Sequence, residues 1–293
     1  MSAVRALLTG VVDYAGLFPP AALDMPTAVR NYVAYRTDPS SWMLGRFVVP
    51  VARLDELVST LAKVDRDGQP VALTVVCGGD AVADIAAAIA FKNTHADRLT
   101  LDAAEARVDT VDAIERAGAS AGHHLELFAE LPSDPDPREL VAAAARAGVS
   151  AKIRTGGLTP EAFPPAKNVV RFIRRCLDAN VRFKATAGLH HPIRAEYALT
   201  YDATPPRGTM YGYLNLLLAT AFMREGMSDG DAQRVLEEED PTAFEITSGT
   251  IGWRGRSLAT ETLQALRDDA AVSFGSCSFR EPVDELHALS PLA

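Results

Sequence analysis

Short β-branched, apolar runs alternate along this chain with stretches whose apolar residues recur every three or four positions. The first pattern suits strands buried on both faces, and the second suits helices with one apolar stripe. Their alternation predicts repeated βα units around a parallel sheet. Eight strands are expected, at 11–16, 44–50, 71–76, 106–113, 124–131, 150–155, 181–188 and 272–279. Val169, Val170, Phe172, Ile173, Cys176 and Leu177 illustrate a covering helix, since their spacing places them on one face.

Eight such units close most simply into a (β/α)₈ barrel, an α/β TIM barrel with its chemistry at the carboxyl ends of the strands. An open doubly wound sheet is the alternative. Against it, no GxGxxG follows the first strand, and Pro19 and Pro20 interrupt the turn after it. The stretch 99–118 carries enough alanine and charge to read as helix as well as strand. A single barrel domain over 1–293 is expected, with one anomaly. The interval 189–271 needs one helix but holds about 80 residues, far more than an ordinary connection. It therefore contains an inserted segment, either a lid over the site or an oligomerisation arm that would make the protein a homo-oligomer. The apolar run Leu214–Met223 within it suits core or subunit contact.

Composition narrows the partners. Of 293 residues 48% are apolar and 23% charged, ample for a large core, and the net charge is −9. No Lys/Arg cluster is present to displace counterions, so neither nucleic acid nor an anionic membrane surface is an expected partner. No run reaches the roughly 20 apolar residues that span a bilayer, and residues 1–16 are too weakly patterned for a secretory signal. Cys77, Cys176 and Cys277 are far apart with no CxxC spacing. A reduced, cytoplasmic protein is expected.

Strand parity locates the candidate chemistry, because side chains alternate between barrel interior and helix layer. Lys152 and Arg154 share a face. So do Arg182, Lys184 and Thr186 on the next strand, and Glu126, Phe128 and Glu130 on the preceding one. A free lysine is almost wholly protonated at neutral pH. A second ammonium about 5 Å away would lower its pKa by about two units at an effective dielectric near 20, and desolvation would lower it further. Such a pair prepares an amine to attack a carbonyl, with a carboxylate moving protons.

These residues resemble a known family. Lys152–Gly156 (KIRTG) is similar to the KxSTG stretch of deoxyribose-phosphate aldolase, and Phe183–Gly188 (FKATAG) to its next-strand KxxGG stretch. Phe274–Ser278 (FGSCS) resembles its FGxSS ending. Asp13–Leu17, Val108–Val111 and Phe128–Glu130 resemble its DHTxL, VDxV and IIE stretches. The motifs touch six strands in order, and the lysines are 32 residues apart. The resemblance implies a class I aldolase needing no cofactor, with Lys152 forming an imine, Lys184 acidifying it and Asp109 assisting proton transfer. Asp112 is the alternative to Asp109 if the strand register differs. Glu130 is a further candidate for proton transfer. Gly156, Gly157, Gly275 and Ser276 would hold an anionic end of a small carbonyl substrate. Asp13, Arg154, Gly188 and His190 complete the expected substrate site.

The chain also departs from that family. Gly188-Leu189-His190-His191-Pro192 lacks the second glycine and following cation, leaving a backbone phosphate nest incomplete. Arg154 replaces a small residue, and the insertion has no counterpart. Deoxyribose 5-phosphate itself is therefore not the expected substrate. Two other functions are compatible with the barrel. One is a phosphate-binding isomerase or phosphoribosyl-transferring enzyme whose lysines are fixed cations, and the other is a non-catalytic ligand-binding or scaffold protein. No metal is expected. The least implausible metal set would be His190, His191 and Glu130, because His123 and His124 precede a strand and lie at the barrel's other end.

Overall fold

A computed structural model describes residues 1–65 and 68–289. Seven strands, β1 (Val12–Tyr14), β2 (Leu44–Pro50), β3 (Val71–Val76), β4 (Leu99–Arg107), β5 (Glu126–Glu130), β6 (Ser150–Arg154) and β7 (Phe183–Thr186), follow one another around a barrel. Beyond β7 lie a hairpin of β8 (Ala195–Ala198) and β9 (Arg207–Met210) and a small sheet of β10 (Phe244–Ile246), β11 (Thr250–Trp253) and β12 (Arg256–Ala259). The last strand, β13 (Ala271–Ser276), pairs with both β7 and β1 and closes an eight-stranded parallel barrel. The expected (β/α)₈ architecture is the observed one.

Local chemistry sets the helix limits. Asp24, Asp80 and Thr110 each cap a helix by accepting from the backbone N–H three residues on. Gly148 ends the helix Arg138–Ala147 in the left-handed conformation, with φ +64°. The helices bury their apolar stripes on the outside of the barrel. Inside it, Ala103, Phe128 and Val272 form a separate apolar layer on which the charged layer described below rests.

The fourth strand runs from Leu99 to Arg107 and not over 106–113. The helix Val111–Ala121 takes up the remainder, with Thr110 as its cap. Within β4 the register slips: Leu73 pairs with Leu101, but Thr74 pairs with Ala103. Asp102 is the surplus residue. An extra residue reverses the alternation beyond it, so Ala103 and Glu105 are turned into the barrel.

The interval 189–271 divides into parts with different surroundings. The hairpin β8–β9 borders the barrel mouth, where Leu199 and Met210 line a cavity. In the helix Tyr213–Arg224, every residue from Tyr213 to Met223 is buried within the chain, so the apolar run is core. The sheet β10–β12 packs beside the helices Ala3–Leu8 and Thr260–Asp269 and gives no residue to the cavity. Among the described residues no helix is long and apolar enough to cross a membrane.

Candidate active site

The carboxyl ends of the strands surround a cavity of about 320 Å³, lined by Glu105, Glu130, Lys152, Arg154, Thr186 and Gly275 among others. A larger hollow of about 590 Å³ lies at the opposite end of the barrel, around Arg182 and Asp268, and holds none of the candidate catalytic residues.

The floor of the mouth cavity is a network of two lysines and three carboxylates. Lys152 and Lys184 are register partners on β6 and β7, and Lys152 is also opposite Glu130 on β5. Lys152 Nζ lies 2.6 Å from Glu105 Oε2 and 2.8 Å from Glu130 Oε2. Lys184 Nζ donates to the other Glu105 oxygen at 2.7 Å and to Asp13 Oδ2 at 2.5 Å. Asp13 also accepts from Ser273 Oγ at 2.6 Å and from the Arg46 amide at 2.9 Å. Phe128 closes the underside, with Lys184 Nζ 5.4 Å from its ring centre. Gly45 makes room for Asp13, since a Cβ there would stand 2.5 Å from Asp13 Oδ1.

This arrangement corrects the expected role of the lysine pair. Glu105, and not open space, separates the ammonium groups, so each nitrogen faces a shared anion instead of the other cation. Burial disfavours a charged Lys184, but Asp13 and Glu105 outweigh it and raise the pKa. Burial likewise pushes Glu105 upward, yet the Lys152 and Lys184 charges and hydrogen bonds bring it down to about 2. Lys184 and Glu105 are thus fixed charges at neutral pH. Lys184 has 1% side-chain exposure and is sealed beneath the floor, whereas Lys152 at 7% and Glu130 at 17% face the cavity.

The other expected residues fall into several groups. Asp109 does not join the network: it is exposed in the turn after β4 and does not line the cavity. Asp112 is on the following helix, paired with Arg116. Glu105 is the fourth-strand acid of the site, and the sequence reading missed it because the alternation through Leu99 and Leu101 gives no sign of the slip at Asp102. Asp13 is buried beneath Lys184 and out of a ligand's reach, so it acts on the site only through that lysine. Arg154 lines the cavity with no ion-pair or hydrogen-bond partner among the described residues.

Close packing within the chain accounts for three of the turn glycines. A Cβ on Gly156 or Gly188 would meet the Phe163 ring at 2.4 and 2.7 Å, and one on Gly157 would meet Ala162 at 2.7 Å. Gly156 is buried, while Gly157, Gly188 and Gly275 line the cavity. Ser276 is buried, with Oγ accepting from the Ser278 amide at 3.3 Å and 3.3 Å from His190 Nδ1.

His190 reaches the cavity wall because Ala187 and Gly188 both take positive φ, +66° and +70°, and turn the chain back after β7. Its Nδ1 lies 3.0 Å from Glu281 Oε2 and 4.0 Å from Cys277 Sγ. Burial opposes the imidazolium, but the contacts with Cys277 and Glu281 raise the pKa to about 9, so His190 is a cation at neutral pH. Tyr201, at the tip of the β8–β9 hairpin, donates to the same Glu281 at 3.0 Å. The alternative metal set does not assemble: His190 faces Glu281, His191 faces Glu285 and stacks on Tyr197, and Glu130 is bound to Lys152. His123 and His124 are exposed just before β5.

No known family model matches the chain, and no curated protein matches it either. The chemistry of the site is therefore read from its own residues.

Proposed function

We propose that the protein is a class I aldolase-like carbon–carbon lyase that forms an imine between Lys152 and a small carbonyl substrate. The observation that carries this reading is the position of Lys152. It is the lysine of the network that faces the cavity, and its Nζ is 2.8 Å from Glu130, the most accessible of the three acids.

Three carboxylates meet two ammonium groups, so the network has one negative charge in excess. Protonating one acid removes that excess, and Glu130 is the acid nearest solvent. As a carbonyl carbon enters, Lys152 passes a proton to Glu130 and the neutral amine attacks. Glu130 returns the proton to the departing hydroxyl, water leaves, and a cationic imine remains. The imine draws electrons from the neighbouring carbon–carbon bond, which cleaves or forms without a metal. Lys184 and Glu105 keep their charges throughout. Lys184 is a positioning residue: it fixes Glu105, which in turn orients Lys152.

A second reading is favoured by the two acids that hold Lys152. A lysine so paired can remain an ammonium, polarising a carbonyl oxygen while Glu130 shifts a proton on the adjacent carbon, as in an isomerase. Borohydride reduction separates the two. Incubation with small aldehydes and ketones followed by borohydride should add the reduced carbonyl fragment to the Lys152 peptide, and Lys152→Ala should remove it. Absence of any adduct on Lys152 under saturating carbonyl would overturn the imine reading.

A further inference from the structure

The charge and surface of the cavity narrow the substrate class, resting on the imine reading only for the presence of a carbonyl. Each charged group at the floor and wall already has a partner, with Lys152 on Glu105 and Glu130 and His190 on Glu281. Arg154 is the exception, a guanidinium at the cavity edge without a partner among the described residues. One unpaired cation suits one monoanionic group, and a guanidinium matches a carboxylate with two parallel hydrogen bonds. A phosphate dianion needs more donors than this. At Gly156, Gly157 and Gly188 the space a side chain would fill is taken by Phe163 and Ala162, so close packing already accounts for these glycines without a phosphate.

Position and surface agree with charge. Arg154 is two residues beyond Lys152 on the same face of β6, so their Cα atoms are roughly 6.6 Å apart. The two side chains can therefore engage opposite ends of one small molecule. Most of the remaining wall is apolar, formed by Phe18, Pro19, Pro20, Leu158, Leu199 and Met210, with Thr186, His190 and Cys277 as its polar members. The apolar part of the wall gives hydroxyl groups no partners, and burying them there unpaired is unfavourable.

We infer that the site takes an unphosphorylated oxo acid with a hydrocarbon body, its carboxylate on Arg154, its carbonyl at Lys152 and its chain against the hairpin and the Pro19–Pro20 turn. Imine formation with such a compound joins the Lys152 nitrogen to the carbonyl carbon and releases the carbonyl oxygen as water. Borohydride then supplies the hydride that fixes the adduct as a secondary amine.

The test compares three probes by calorimetric titration without reductant: α-ketoisocaproate, methyl isobutyl ketone, which has no carboxylate, and glyceraldehyde phosphate. Each is titrated into the wild type, Arg154→Gln and Lys152→Met, with circular dichroism as a check on folding. The keto acid should bind wild type at least about tenfold more tightly than either other probe, the scale of one charge-assisted bond. Arg154→Gln should remove that preference while leaving the ketone within about twofold, and Lys152→Met should keep it. Equal binding of keto acid and ketone, tighter binding of glyceraldehyde phosphate, no binding of the keto acid, or an indifferent Arg154→Gln would each overturn the inference. Borohydride trapping in parallel separates it from the imine reading. Selective binding without an adduct refutes the imine and leaves the ligand class standing, and adducts without selectivity do the reverse.

Discussion

Lys152 and Lys184 are direct register partners on neighbouring strands, yet each is bonded to a different oxygen of the same carboxylate, Glu105. The pair is thereby a carboxylate-bridged cluster of fixed geometry and not two repelling cations. Lys184 is the buried anchor, and Lys152 is the end that a ligand can reach.

That anchoring predicts a large stability cost for Lys184→Met. Removing the ammonium leaves Asp13 and Glu105 facing each other's charge out of water, and breaking a buried ion pair from one side costs about 3–5 kcal/mol. Urea unfolding should show that loss, and adding Asp13→Asn should restore part of it. An unchanged midpoint in Lys184→Met would show that the network does not hold the barrel mouth together.

The acid limb of stability should report Glu105. Its pKa falls from 4.5 unfolded to about 2 in the folded chain. A depressed carboxylate contributes stability above its unfolded value and loses it as pH falls through the folded one, so the loss occurs between about pH 4.5 and 2. A shift of this size is worth on the order of 3 kcal/mol. Urea midpoints measured over that window should slope downward with acid, and Glu105→Gln should flatten the slope.

The alkaline limb should report His190. Its pKa rises from 6.5 to about 9 on folding, so its contribution is complete below about pH 6.5 and is lost as pH rises through about 9. Thermal midpoints should decline across that interval in the wild type. His190→Gln should be less stable at neutral pH and indifferent to the same rise. A wild-type curve flat from pH 6 to 10 would contradict the charged His190–Glu281 contact.

Much of the frame is legible in the residues. β2 and β3 lie where their β-branched runs end abruptly in turns, and the interior faces of β5, β6 and β7 follow from simple alternation through Phe128, Lys152 and Lys184. Glu105 was hidden for two physical reasons. Its strand is rich in alanine, which has little strand preference, and the surplus Asp102 breaks the period on which parity depends. The acid partners of the lysines were equally out of reach, because Asp13 and Glu105 are 171 and 79 positions from Lys184. The glycine turns misled in another way. Gly156 and Gly188 are small because Phe163 lies on them, a long-range packing demand that looks the same in sequence as a ligand cradle.

The slip in β4 ties the chemistry of this barrel to a count of residues as much as to their kinds. Asp102 binds Arg46 at 2.7 Å, and the bulge that skips it in the pairing of β3 and β4 keeps Glu105 inward. A chain one residue longer at that point, with the same single bulge, would keep every acid and base named here and still turn its bridging carboxylate toward the outer helices. Two such chains would look nearly identical when compared letter by letter, and only one would hold the two lysines on a common acid.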